Sequence, residues 1–65
     1  MNKHHRRPKS LGGTQNKKNI SLVNENRHIL WHQLFSNKSM HEICRIINEI
    51  WLDPMYELRI HRRKL

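Results

Sequence analysis

The sequence predicts a small α+β domain: a ββα unit, then a second amphipathic helix and a short C-terminal strand. Three observations carry that expectation. A Gly12-Gly13 pair breaks a polar, basic N-terminal third into two arms. Residues 24–35 and 39–52 place apolar side chains at helical spacing. Tyr56, Leu58 and Ile60 alternate with Glu57 and Arg59, the period of a strand. The 65 residues have room for a single domain, divided into a ββα unit over 3–35, a covering helix over 39–52, a strand over 55–61 and a basic tail over 62–65.

Residues 1–23 read as an irregular β-hairpin. Pro8 and Gly12-Gly13 punctuate it, and glycine supplies the positive φ of a tight reversal. Its clearest strand is Ile20-Ser21-Leu22-Val23, with two β-branched residues after a polar loop. The first helix starts near Asn24, with Asn24 or Asn26 as cap and Glu25 at the positive end of the dipole. It runs through Phe35, stops in Ser36-Asn37, and carries a broad stripe of Ile29, Leu30, Trp31, Leu34 and Phe35. Ser39-Met40-His41-Glu42 is a capping-box sequence that opens the second helix. Ile43, Ile46, Ile47, Ile50 and Trp51 follow on one face, and Asp53-Pro54 ends it. Trp31 and Trp51 are expected in the core rather than stacked on bases, with Cys44 a small packed neighbour of the stripe. The terminal strand is expected to pair with the Ile20–Val23 region.

A domain this short usually needs a staple beyond its apolar core. Cys44 is the only cysteine, so an intrachain disulfide and a cysteine-based zinc finger are both excluded. A His-based metal site, a dimer or a marginally stable monomer remain. A reducing cytosol is the expected compartment. No run of eighteen apolar residues exists to cross a membrane, and no hydrophobic stretch follows the basic N-terminus as in a signal peptide.

The net charge of +8 is unevenly laid out. Residues 1–24 and 58–65 contain no acid, and all five acids (Glu25, Glu42, Glu49, Asp53, Glu57) lie between them. That polarity suits a phosphate backbone. Arg6, Arg7, Lys9, Lys17 and Lys18 are the candidate nucleic-acid contacts, and Arg62-Arg63-Lys64 adds non-specific attraction.

The most informative residues are histidines. His28 and His32 stand at i and i+4 of the first helix, one turn apart on one face, a spacing at which two imidazoles can share a divalent ion. A third ligand must come from elsewhere, and His4 on the hairpin is the obvious donor. In regular strand backbone His5 would then point away, unless an irregular backbone turns both rings toward one cleft. So turned, His5 can act as a general base, because imidazole titrates near neutral pH. Asn19 has the amide to fix the His5 tautomer or to pin the hairpin. His41 and His61 fall outside this pattern and are expected in solvent.

His4-His5-x-x-Pro8-x-Ser10-x-Gly12-Gly13, then Asn19, then His28 and His32, resembles the HNH (ββα-metal) endonuclease motif over about residues 3–33. The resemblance implies His4, His28 and His32 as metal ligands, in the three-histidine, colicin-like form. It implies His5 as the base that activates water, and Asn19 as the brace that orients it. The chain departs from many members in lacking Cys-x-x-Cys zinc knuckles, and only three residues precede His4. The expected activity is metal-dependent hydrolysis of nucleic-acid phosphodiester bonds, DNA above all, with one divalent ion (Zn, Mg, Mn or Ni) and a setting in a phage or mobile element. Two other readings stand beside it. One is a non-catalytic, metal-stabilised nucleic-acid-binding module. The other is an interaction protein, in which the ββα unit is a vestigial scaffold and the exposed part of the Ile/Trp helix contacts another protein, with a homodimer or a protein partner as the possible assembly.

Overall fold

A computed structural model describes residues 1–63 and gives a mixed α+β fold. Strands β1 (Asn2–His5) and β2 (Ile20–Val23) pair antiparallel, with Asn2 opposite Val23 and His5 opposite Ile20. The loop between them, residues 6–19, is held by its own polar groups. Pro8 leads into a 3₁₀ turn (Lys9–Leu11), and its carbonyl accepts from the N–H groups of Leu11 and Gly13, each at 2.9 Å. The two glycines serve different needs. Gly12 has φ +88°, where a side chain is strained. Gly13 lets the backbone double back on itself, for a Cβ there would sit 1.7 Å from the Arg7 carbonyl oxygen.

Helix α1 (Glu25–Phe35) begins where expected. The Asn24 side chain accepts from the N–H groups of Asn26 and Arg27, satisfying two of the free donors of the first turn. The helix stops at Ser36, which takes φ 50°. Helix α2 (Met40–Ile46) carries the full capping box, with Ser39 and Glu42 each binding the other's backbone.

Beyond Ile46 the ladder changes. Residues Ile47–Trp51 form a π-helical turn in which the Leu52 N–H donates to the Ile47 carbonyl at 2.9 Å. The wider turn advances each side chain by a smaller angle, so the stripe drawn at 3.6 residues per turn loses register. Ile43 is buried, but Ile50 and Trp51 are 68% and 62% exposed. The expectation that Trp51 extends the core is therefore corrected. Only Phe35 and Ile43 are buried hydrophobics among the described residues, and half-buried Trp31 packs on Phe35 with ring centroids 4.6 Å apart.

The predicted terminal strand is also corrected. Residues 55–61 join no sheet among the described residues, and β2 pairs with β1 alone. The cause is a side chain that substitutes for a strand. Asn48 Oδ1 accepts the Leu58 N–H at 2.8 Å, and its Nδ2 donates to the Leu58 carbonyl at 2.9 Å. The Cys44 thiol donates to the same carbonyl at 3.4 Å. Arg62 and Arg63 of the basic tail are exposed; Lys64 and Leu65 lie outside the described residues. No described helix is long and apolar enough to cross a membrane.

Candidate metal centre

The ββα arrangement lays β1 against the first turns of α1, and this brings His4 to His28 and His32. The His4 ring lies 5.2 Å from that of His28 and 5.9 Å from that of His32, centroid to centroid. Helical spacing does the rest: Nε2 of His28 and Nε2 of His32 are 2.9 Å apart. One ring nitrogen from each of the three residues lies within 4.8 Å of the others. Trp31, one turn beyond Arg27, closes one side with its ring 5.9 Å from His4.

A metal fits these residues. Two imidazole nitrogens on one tetrahedral zinc stand about 3.3 Å apart, from Zn–N bonds of about 2.0–2.1 Å. Side-chain rotation by at most about 1.5 Å takes the present spacing, within 4.8 Å, to that value. Nδ1 of His4 is buried with no hydrogen-bond partner, which is costly unless a ligand completes it. Burial, and then the charges of His28, His32, His5 and Arg6, hold His4 below its ordinary pKa. His4 is therefore biased toward the neutral imidazole that a metal requires. The cluster contains no carboxylate, and an all-imidazole donor set suits zinc and nickel better than magnesium.

His5 is half-buried beside the cluster, and its Nε2 is buried without a partner. His4 and His5 border one small hollow together with His32 and Ser36, so the backbone does not send the two rings to wholly separate surroundings. A larger cleft of about 670 Å³ adjoins the cluster, lined by His4, His28, Arg6, Arg27 and Trp31 but not by His5. The expected role of Asn19 is half corrected. Its Oδ1 accepts the Arg7 N–H at 2.7 Å, and its Nδ2 donates to the carbonyls of Arg7 and Thr14 at 3.2 and 2.8 Å. Those bonds pin the loop and use the amide's oxygen and both its protons, so Asn19 does not orient the His5 ring directly.

The cations divide. Arg6 lines the cleft and ties Nη1 to the Lys18 carbonyl at 3.0 Å. Arg7 spends its guanidinium on the Leu11 carbonyl at 2.7 Å, bracing the loop. Lys9, Lys17 and Lys18 are exposed on that loop and line neither hollow nor cleft. Arg27 is the cleft residue that the sequence reading missed. It precedes His28 and stands four residues before Trp31, so helical spacing alone groups the three on one side of α1. His41 and His61 are exposed, as expected.

No protein-family model matches the chain, and neither a curated protein nor a solved structure matches it.

Proposed function

We propose that this chain is a metal-dependent nuclease of HNH type that hydrolyses phosphodiester bonds, with DNA as its substrate. The observation that carries the reading is the meeting of His4, His28 and His32, from a strand and a helix, beside a fourth imidazole at His5. His4, His28 and His32 would hold one divalent ion, with zinc or nickel favoured by the donors and manganese or magnesium less suited. When bound, such an ion supplies positive charge to the phosphate and to the leaving oxygen. His5 takes the proton from the attacking water as general base. Arg6 and Arg27 line the adjoining cleft, where they bind neighbouring phosphates. Asn19 ties Arg7 to Thr14 across the loop that carries Arg6.

A second reading has its own support. His5 lies outside the larger cleft and no amide orients its ring, which favours a structural metal in a DNA-binding module without catalysis. One experiment separates the two. Plasmid nicking is followed with Zn²⁺, Ni²⁺, Mn²⁺ and Mg²⁺ for the parent and for His5→Ala, with metal content measured in both. Cleavage by the parent and its loss in His5→Ala at unchanged metal content support the nuclease. DNA binding by the parent with no nicking in any metal overturns it in favour of the binding module, and equal cleavage by both proteins removes His5 from the mechanism.

A further inference from the structure

The C-terminal third is left unfinished by its own chain. The chain as a whole has a radius of gyration of 13.0 Å, whereas a compact chain of 65 residues has about 10.7 Å. Trp51, Tyr56 and Met55 are 62%, 71% and 84% exposed, and α2 makes its densest contacts with its own π-turn. Chains of this size that bury so little commonly complete their core with another chain.

Residues 56–60 are shaped for that purpose. Asn48 takes both the N–H and the C=O of Leu58, which point to the same side in extended backbone. The Glu57 and Arg59 side chains meet at 2.8 Å, as residues two apart on one face of a strand do. With Leu58 facing Asn48, the backbone groups of Glu57 and Arg59 face the opposite edge. Among the described residues no backbone bond is made by the N–H or C=O of either. An exposed edge of this kind is a template for another strand.

We propose that residues 56–60 pair antiparallel with the same segment of a second copy of this chain, centred on Leu58. The charges select that occupant. Two-fold pairing about Leu58 sets Glu57 opposite Arg59 of the copy, and Arg59 opposite its Glu57, so each ion pair is repeated by symmetry. It also sets Tyr56 opposite Ile60 of the copy on the other face, covering apolar surface that the single chain leaves exposed. Glu57 and Arg59 would take the hydrogen-bonded positions and Leu58 the non-bonded one, in agreement with Leu58 being held by Asn48. The pairing is independent of what the imidazole cluster does.

The test is sedimentation equilibrium of the full chain from about 1 µM to about 1 mM, a range that brackets weak to moderate self-association. The parent is expected to show a concentration-dependent dimer. Glu57→Arg and Arg59→Glu each place like charges opposite one another twice per dimer, so each should weaken self-association about tenfold. Both side chains are exposed, so far-UV circular dichroism should match the parent. Mixing the two variants restores opposite charges at both positions, and the mixture should dimerise like the parent. A parent that stays monomeric throughout overturns the proposal. So does a dimer that neither substitution weakens, or a mixture that associates no better than each variant alone.

Discussion

Replacing Gly13 by alanine should be the most damaging small substitution in the loop. The added Cβ would lie 1.7 Å from the Arg7 oxygen, 2.7 Å from the Arg7 carbonyl carbon and 2.9 Å from the Pro8 oxygen. All three are backbone atoms, so no side chain can swing aside, and the bend at Arg7 must retreat by more than about 1 Å. That movement breaks the two bonds by which Asn19 grips Arg7. At about 1 kcal/mol net for each, the loss is about 2 kcal/mol. For a domain of this size that corresponds to a fall in Tm of about 8–16 °C. Gly12→Ala is the control. Its Cβ would meet only the Arg7 guanidinium, at 3.7 Å, and its cost is the positive φ alone, about 1–2 kcal/mol. Thermal unfolding followed by circular dichroism reads both. Equal melting temperatures for Gly13→Ala and the parent, or a larger loss for Gly12→Ala, would refute the account of how the loop is built.

Three further outcomes follow from the geometry. His28→Ala removes one of three imidazoles and should lower zinc affinity by at least about a hundredfold, with loss of most of the rise in Tm that zinc gives the parent; calorimetric titration reads the first and thermal melts the second. The metal-free protein should lose stability in acid. His4 has its folded pKa lowered, so the unfolded chain takes up the proton first as pH falls; the stability is fully present above 6.5 and is lost as pH drops from there through the lowered folded value. Urea midpoints at pH 7.5 and pH 5 check this, and an unchanged or higher midpoint at the lower pH contradicts it. Ser36 has φ 50°, so Ser36→Gly should raise stability by about 0.5–1 kcal/mol, measured as a higher urea midpoint.

What the sequence made legible is what short-range rules govern. Asn24 and Ser39 cap their helices because a side-chain oxygen beside free N–H groups has one dominant use. His28 and His32 can meet because 3.6 residues per turn sets i and i+4 side by side on one face of a helix. Ile20–Val23 became a strand for its β-branched residues. The failures arise where a residue's partner is distant or the local geometry is not the ideal one. A 3.6-residue period carries Trp51 into the core, but the π-turn at Ile47 interrupts it, and nothing in Ile47-Asn48-Glu49-Ile50-Trp51 announces a wider turn. Tyr56–Ile60 alternates in sequence without forming a strand in a sheet, because pairing depends on which edges the rest of the chain leaves open, and Asn48 holds Leu58 locally. The sequence leaves Asn19 two uses, the His5 ring or the hairpin itself, and the path of residues 7–14 decides for the hairpin's loop.

The loop and the imidazole cluster are best understood as one device. Phe35 and Ile43 are too little apolar core to fix β1 against α1 by themselves, and Trp31 adds its edge to His4 at that same seam. The seam is instead populated by imidazoles, which are poor packing material when left with buried, unpartnered nitrogens at His4 and His5. Such groups stand where leucines would give apolar burial, and binding a ligand there would satisfy the nitrogens that the chain alone leaves unpartnered. The Gly12-Gly13 reversal and the Asn19 amide have a complementary part: they build the loop from a tight backbone turn and from side-chain hydrogen bonds to its backbone, with little core beneath it. The loop fixes where β1 ends, α1 fixes where its two histidines point, and the remaining freedom is the short closure of three rings that an ion would complete.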